Sequence, residues 1–182
     1  MSDHSSERDD LQLHLLVLRC QAGDDQAFAR LFDWFGQRTL GHLRSLISDD
    51  AEDVQQEVWL TVYRGISTLA NPAAFRTWLF RTTRHRAIDF LRKRKREQEL
   101  IEETATVPVE ASEPEEPSFA ALDESILEAA MARIAPAQRE VLLLRYRDDL
   151  SYAEIALVVG CPIGTVRTRL HHAKRRLHGL LT

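Results

Sequence analysis

The chain is poor in the residues that build cross-linked or membrane-spanning proteins. Its 182 residues include two cysteines, too few for a disulfide scaffold or a four-ligand zinc site, so Cys20 and Cys161 are interpreted as small apolar residues in reducing surroundings. The most apolar stretch, residues 155–163, is interrupted by Gly160 and Pro162, whereas a membrane-spanning helix needs about 20 apolar residues. The first ten residues are acidic, unlike the basic start of a secretory signal. The sequence therefore predicts a cytoplasmic protein without membrane insertion.

Residue arrangements typical of enzymes are also missing. The sequence contains no glycine-rich phosphate loop and no serine or cysteine nucleophile elbow. The seven histidines are scattered without paired ligand spacing, and the adjacent His171 and His172 point to different sides of a helix. We therefore predict that the chain is not an enzyme and has no catalytic residue, no cofactor and no metal site.

Charge is divided into blocks of opposite sign, although the net charge is only −4. Residues 1–63 carry −7 and residues 97–154 carry −11, whereas residues 64–96 carry +9 and residues 155–182 carry +5. Two basic blocks separated by acidic ones predict two surfaces for a polyanion. Each block alone is also compatible with the solvated face of a surface helix.

Glycine and proline are sparse and apolar residues recur every three or four positions, which predicts an all-α fold. Four predicted helices form a first small domain, residues 1–96. Residues 97–123 contain prolines and glutamates but no lysine or arginine, which predicts a flexible acidic linker. Residues 124–182 form a second small helical domain.

Helical spacing assigns inward and outward faces to the N-terminal helices. The predicted core residues are Phe28, Leu31, Phe32, Phe35, Val54, Val58, Val62, Phe75, Trp78, Leu79, Ala87, Phe90 and Leu91. With the three valines buried, an acidic and polar stripe with one apolar anchor faces outward: Asp53, Gln56, Glu57 and Leu60. Trp59 and Tyr63 are expected at core or rim positions.

The C-terminal block has the pattern of a helix-turn-helix. Ser151 and Glu154 form a capping box that begins a short helix, and Gly160 can close that helix in the left-handed conformation. The next helix buries one apolar stripe, so its opposite face is basic, free of acidic residues and of a width that fits the major groove. That face comprises Arg167, Thr168, His171, Lys174 and Arg175. We interpret it as a DNA-reading helix, although an ordinary surface helix would also be amphipathic.

Both halves together resemble the extracytoplasmic-function (ECF) group of the sigma-70 family, the dissociable promoter-recognition subunits of bacterial RNA polymerase. SYAEIA at 151–156, PIGTVRTRL at 162–170 and the preceding REVLLLR are similar to the family's fourth region. DAEDVQQEVW at 50–59 is similar to the second region, where it docks onto the polymerase. TWLFR at 77–81 and AIDFLR at 87–92 resemble the adjoining part that opens promoter DNA.

The resemblance implies a site for each step of promoter recognition. The residues implied to bind the β′ coiled coil of core polymerase are Asp50, Asp53, Gln56, Glu57 and Leu60. Those implied at the minus-ten element are Asn71, Arg76, Arg81, Arg84, His85 and Arg92. Those implied at the minus-35 element are Thr165, Arg167, Thr168, Arg169, His171, His172, Lys174 and Arg175. The β flap of the polymerase and an anti-sigma factor are further implied partners.

A conventional repressor or activator with an N-terminal sensing bundle is the principal alternative. It accounts for residues 151–178 but leaves the stripe at 50–59 and the basic helix before the linker unexplained. It would also normally bind closed duplex as a dimer on paired half-sites. The acidic linker is either a plain tether or an electrostatic mimic of RNA in the polymerase channel. We therefore predict an alternative sigma factor that opens the minus-ten element and reads the minus-35 duplex.

Three residues differ from the usual family pattern. One of them, His172, predicts how two substitutions in the last helix rank in their effect on promoter use. His85 replaces an asparagine and Thr168 a serine, and His172 stands where arginine is common. Because histidine is mostly neutral near pH 7, a phosphate contact from His172 is weaker than one from the permanently charged Arg167. We expect Arg167→Ala to reduce promoter use in transcription in vitro more than His172→Ala. Equal losses would contradict this ranking.

Overall fold

The computed structural model describes residues 3–47, 50–102 and 124–181, and within them the chain is helical and contains no strand. The predicted all-α fold is confirmed. The helices are α1 (Asp3–Gln21), α2 (Asp25–Leu46), α3 (Ala51–Gly65), α4 (Phe75–Glu102), α5 (Glu124–Ala132), α6 (Pro136–Tyr146), α7 (Tyr152–Val159) and α8 (Ile163–Leu181). Two short 3-10 turns, Ile66–Thr68 and Pro72–Ala74, connect α3 to α4.

Capping residues determine where several helices begin. The Asp24 carboxylate accepts hydrogen bonds from the backbone amides of Gln26 and Ala27, both at 3.0 Å, and thereby satisfies donors that α2 leaves unpaired. Pro136 occupies the first turn of α6, where a missing amide hydrogen costs nothing. These starts agree with the signals in the sequence.

Three helices differ from the sequence prediction, and the first two predicted helices form one continuous helix, α2, in the structure. Helix α1 was not predicted, because its leucines and its one valine between Leu11 and Leu18 lie on all sides and give no clear period. Helix α4 continues to Glu102, so residues 97–102 are helical although they were assigned to the linker. The pairs Lys93–Glu97 and Lys95–Glu99, at 3.9 and 3.6 Å, join successive turns there. Residues 103–123, the rest of the predicted linker, lie outside the described residues.

Most predicted core positions of the N-terminal helices are buried or half-buried, with two exceptions. Phe32 is 45% exposed because it lies at the edge of α2, where its ring meets Trp59 edge-on at 5.1 Å between centroids. Leu91 is 44% exposed, and every residue from 91 to 99 is exposed, because α4 leaves the bundle after Phe90. The prediction that Phe32 and Leu91 point inward was wrong.

The N-terminal and C-terminal helices pack directly against each other. Helix α7 lies on α4 and α6 lies on α2, and one apolar cluster runs from α1 and α2 through α4 to α6, α7 and α8. Polar contacts accompany this packing. The Thr77 hydroxyl donates to Glu154 at 3.0 Å, and the Arg147 guanidinium donates to the backbone carbonyl of Arg38 at 3.0 Å.

A histidine and a carboxylate are buried where the two sets of helices meet. His42 on α2 is fully buried and its Nε2 lies 3.7 Å from Glu140 Oε1, while Arg84 Nε donates to the same oxygen at 2.9 Å. Burial, reinforced by the charges of Arg147 and Arg84, lowers the pKa of His42 to about 3. Burial raises the pKa of Glu140 and the Arg84 charge opposes that rise. At neutral pH His42 is therefore uncharged, and Arg84 is the charged partner of Glu140.

This burial makes His42 a source of acid sensitivity. A histidine in the unfolded chain titrates near pH 6.5, so between about 6.5 and about 3 the unfolded state binds the additional proton. The contribution of His42 to the free energy of unfolding is therefore complete above about pH 6.5 and decreases as pH falls. We expect His42→Leu to lose stability less steeply between pH 6.5 and 4.5 than the wild type, measured by urea denaturation.

An exposed histidine provides the control for this prediction. His85→Leu removes an exposed imidazole from the surface of α4 and should retain the wild-type slope. Glu140 and Asp148, whose pKa values are raised by burial, change stability in the opposite direction and are present in all three proteins. Equal slopes for wild type and His42→Leu would contradict the assignment.

Candidate nucleic-acid interface

The helix-turn-helix begins with a complete capping box. The Ser151 hydroxyl accepts from the Glu154 amide at 3.3 Å, and the Glu154 carboxylate accepts from the Ser151 amide at 2.8 Å. Gly160 closes α7 with φ at 69°, a left-handed conformation in which a side chain would be strained. Cys161 and Pro162 then lead into α8. The turn therefore holds α7 and α8 in a fixed relation, as a DNA-reading helix requires.

Helix α8 presents the basic face that the sequence predicted. Val166, Leu170 and Ala173 are buried against the rest of the domain. The exposed predicted residues are Arg167, Thr168, His171, His172, Lys174 and Arg175. Thr165 and Arg169 are only half-buried, and the Arg169 guanidinium lies 3.9 Å from the Cys161 sulfur, on the turn.

Side chains on the basic face of α8 also make contacts within the domain. Lys174 Nζ lies 5.0 Å from the centre of the Tyr146 ring on α6, a cation–π distance. The rings of His171 and His172 meet edge-on at 5.7 Å between centroids. These contacts leave the outward surface of α8 rich in hydrogen-bond donors.

Helix α4 carries the predicted minus-ten residues in two different environments. Arg81, His85 and Arg92 are exposed. Arg76 instead pairs with Asp10 of α1 at 3.0 Å, and Arg84 pairs with Glu140 of α6 at 2.9 Å. Asn71 precedes this helix and caps a 3-10 turn, its side-chain oxygen accepting from the Ala73 amide at 3.0 Å. The same basic helix thus contains accessible cations and cations that other elements already contact.

Trp59 and Trp78 pack into the bundle, whereas Tyr63 is exposed. Trp78 is half-buried, lies 6.1 Å from Phe75 between ring centroids, and packs against Gly65, where an added Cβ would approach its ring at 3.1 Å. Trp59 is buried and Tyr63 is 53% exposed, with its hydroxyl donating to Asp25 at 3.2 Å. Packing accounts for the position of Trp78.

The outward stripe of α3 forms a ridge between two grooves. All five predicted residues are exposed: Asp50, Asp53, Gln56, Glu57 and Leu60. On one side, the stripe carboxylates share a charged groove with basic residues of α4, Arg86, Lys93 and Arg94. On the other side, Leu60 borders an apolar groove between α2 and α3, lined by Phe28, Phe32, Trp59 and Tyr63. We refer to this stripe and its two flanking grooves as the α3 ridge.

Sequence reasoning missed the apolar groove of the α3 ridge and the residues that contact α4. Phe28 and Phe32 were placed in the core, although the apolar face of α2, which also includes Leu31 and Phe35, is wider than one helix contact covers. The width of this apolar face was the feature of the sequence that could have predicted the groove. The contact of Glu140 with α4 could not be predicted, because its spatial neighbours Arg84 and His42 are distant in sequence.

The described part of the chain lacks two other kinds of functional feature. No group of three histidine, cysteine, aspartate or glutamate side chains there is arranged to hold a metal ion. No helix among residues 3–47, 50–102 and 124–181 is both long and apolar enough to cross a membrane. The exposed basic helices and the α3 ridge are the candidate functional surfaces of the described residues.

A helix-turn-helix combined with a second basic helix defines a class of DNA-binding proteins, and comparison with known proteins specifies the family. Residues 35–97 match the description "Sigma-70 region 2" and residues 124–177 match "Sigma-70, region 4". The ECF RNA polymerase sigma-E factor of Escherichia coli K12 is 31% identical over 173 residues, covering 90% of this chain and 91% of that protein. That of Haemophilus influenzae is 30% identical over 172 residues, covering 89% and 91%. The chain belongs to the ECF group of the sigma-70 family.

Solved structures show the same fold. The sigma factor RpoE of Bartonella quintana, in complex with the anti-sigma factor NepR, matches with a TM-score of 0.66 at 26% identity over 85% of this chain and 96% of that chain. CnrH, in complex with the cytosolic domain of CnrY, matches with a TM-score of 0.62 at 22% identity, over 93% and 97%. The second likeness concerns the fold alone.

The capping box of the helix-turn-helix gives a test of how α7 is held. Ser151→Ala removes the acceptor for the Glu154 amide, and the loss of such a cap costs about 0.5–2 kcal/mol. We expect a lower free energy of unfolding in urea by roughly that amount. Ser67→Ala, at an exposed serine outside the helix-turn-helix, should change it by less than about 0.5 kcal/mol. Equal effects of the two substitutions would contradict the role of the box.

Proposed function

We propose that this sigma factor binds core RNA polymerase through the α3 ridge, opens the minus-ten element with α4 and reads the minus-35 duplex with α8. Sigma factors direct promoter-specific transcription initiation, and this chain has the two sigma regions on which that activity depends. The observation that carries the proposal is the presence of an exposed acidic ridge and two basic helices in one chain. A repressor that binds closed duplex without polymerase does not require the acidic ridge.

The α3 ridge suits a partner made of helices. The Asp53 and Glu57 carboxylates and the Gln56 amide are exposed and can accept charged hydrogen bonds from arginines on the partner. Leu60, 53% exposed, can bury apolar area together with the groove beside it. This combination of a polar stripe and an apolar groove supports the β′ coiled coil as the partner.

Helix α4 supplies cations along the path of a promoter strand. Exposed Arg81 and Arg92 can contact phosphates, which gives affinity without sequence information. His85 lies one turn after Arg81 on the same exposed side and can donate to a base edge. In our proposal the turns between α3 and α4, including Asn71, complete a pocket for a base taken out of the duplex stack.

Helix α8 reads duplex DNA in the major groove. Its exposed arginines can bond guanine edges or phosphates, and its N-terminal turns project from the tight turn at Gly160. We retain domain boundaries at 1–96, 97–123 and 124–182, with the start of the linker helical. In this division the first domain binds polymerase and the minus-ten element, and the second binds the minus-35 element.

In this proposal the protein is a non-catalytic subunit with two further partners. The chain performs no catalysis itself, because nucleotide addition belongs to the polymerase, and it acts in the cytoplasm where that enzyme is found. The β flap of the polymerase is proposed as the partner of the second domain. An anti-sigma factor is a further proposed partner, supported by the relative RpoE, whose structure contains the anti-sigma factor NepR.

Charge reversal on the α3 ridge tests the polymerase contact. Glu57→Lys places a cation in the middle of the acidic stripe, so we expect it to reduce core-dependent transcription from a promoter library by at least about tenfold. Asp33→Lys is the matched control, since it reverses one carboxylate at an exposed position of α2 that lines neither groove of the α3 ridge. The control should retain most of the activity.

Two outcomes would contradict the proposal. Glu57→Lys with full activity would exclude the α3 ridge as the polymerase contact. A wild-type chain that binds particular duplexes but never directs core polymerase to a start site would instead indicate a conventional regulator. Circular dichroism of both variants shows whether any loss comes from unfolding.

A further inference from the structure

The connection between α3 and α4 is held by a side chain from α1. Gln21 is the last residue of α1, and its Nε2 donates to the backbone carbonyl of Ile66 at 3.0 Å and to that of Leu69 at 2.8 Å. A side-chain amide has two hydrogens, so one group can serve both acceptors. The two acceptors lie 45 and 48 positions away in the chain. These bonds therefore join elements that are distant in sequence.

Hydrogen bonds within the connection shape its two 3-10 turns separately. The Leu69 amide donates to the Ile66 carbonyl at 3.2 Å, which closes the first turn. The Asn71 side chain accepts from the Ala73 amide at 3.0 Å, which begins the second turn. Both of these bonds are local. Gln21 instead bonds the first turn from outside, and so fixes where that turn lies against α1.

Packing orients the first turn in the same way. The Ile66 side chain is 3% exposed and Leu69 is half-buried against the same apolar cluster, while α1 also contacts both turns. The side chains of Ser67, Ala70 and Asn71 are exposed. Buried and exposed residues are interleaved along this short segment, so a rotation of its backbone would move the exposed ones.

A pocket for a single base needs a backbone of fixed shape. Binding groups must be held within about 0.5 Å of their working positions, which requires packing and hydrogen bonds behind the residues that touch the ligand. In the function proposed above, the connection between α3 and α4 receives a base taken out of the duplex stack. In that proposal the exposed residues of the connection contact the base, and Gln21 contacts the backbone behind them.

We infer that Gln21 is a positioning residue for minus-ten recognition, and that its amide fixes the connection between α3 and α4 in the shape that selects the captured base. The inference rests on the proposed function of this connection. It extends the minus-ten machinery to α1, which lies outside residues 35–97, the part of the chain that matches the region 2 description. In this role Gln21 acts through the backbone of Ile66 and Leu69 and not by contact with DNA.

Loss of the Gln21 amide removes a donor from both carbonyls. A shielded carbonyl is costly to leave without a hydrogen bond, so the backbone turns toward water to restore one. The Leu69 carbonyl directly precedes Ala70, so such a rotation displaces the exposed residues of the connection. The pocket then still receives a strand but distinguishes the bases less well.

The experiment measures base preference in transcription by core polymerase and the full chain. A barcoded promoter library with both elements randomised is transcribed with limiting amounts of the protein. Sequencing of the transcripts gives the ratio of the best base to the others at each promoter position. A change in the amount of folded protein scales all promoters together and leaves these ratios unchanged. The ratios therefore separate a positioning role from a merely structural one.

Two variants remove the bonds of Gln21 in different ways, so that one reports if the other fails to fold. Gln21→Met keeps the length of the side chain without the donor, and Gln21→Glu keeps the shape and replaces the donor by an acceptor. We expect both to lower the base preference at one position of the minus-ten element by at least about fivefold. Preferences in the minus-35 element should stay within about twofold of the wild type, because α8 reads that element.

Gln55→Met is the matched control. Gln55 on α3 is also half-buried, and its Nε2 donates to the backbone carbonyl of Gly36 at 2.6 Å. The substitution therefore makes the same chemical change at a comparable contact outside the connection. It should leave every base preference within about twofold of the wild type, whatever its effect on the total amount of transcript.

Asn71→Ala separates failure of the inference from failure of the proposed function, because it removes the cap of the second turn from within the connection. Altered preferences with Asn71→Ala but wild-type preferences with both Gln21 variants would overturn the inference and leave the proposed pocket in place. Wild-type preferences in all three variants would overturn both, because the connection would then not select a base. A weakened minus-ten preference with Gln55→Met would also overturn the inference, since the effect would not be specific to the connection.

Discussion

Burial of one apolar face on each helix is the constraint on which the functional surfaces depend. Once Val54, Val58 and Val62 of α3 are inside, the acidic stripe of the α3 ridge has to face solvent. Burial of Val166 and Leu170 similarly turns the basic side of α8 outward. The packing of the apolar faces therefore also determines which charged side chains face solvent. The same constraint explains why an acidic and a basic surface coexist in one small protein.

Helix α4 does not follow this division into a buried apolar face and a solvent-exposed polar face. Part of its polar surface lies against α6 and α7, so it has to be paired within the chain, and Arg84 with Glu140 is the most buried of these pairs. A buried pair of this kind adds little net stability, because the cost of removing both charges from water offsets their attraction, whereas removing one partner alone is strongly destabilising.

Much of the fold and part of the site could be predicted because the signals are local. The capping box at Ser151, the left-handed Gly160 and the exposure of Glu57 each depend on residues within one or two turns. The exposure of Phe32 and the pairing of Arg84 could not be predicted in the same way, because periodicity gives the face of a helix and not its neighbours. Helix α1 was missed for a related reason, since leucines on all of its sides conceal the period.

Permanganate footprinting of promoter DNA tests the central claim, that this chain opens DNA as a subunit of the polymerase, most directly. The reagent oxidises thymines that are unstacked, so it detects melting independently of any transcript. The account predicts reactive thymines about ten base pairs upstream of the start site when both core polymerase and this protein are present. It predicts no reactive thymines with core polymerase alone or with this protein alone. Protection of duplex DNA by the protein alone, with no reactive thymine after polymerase is added, would contradict it.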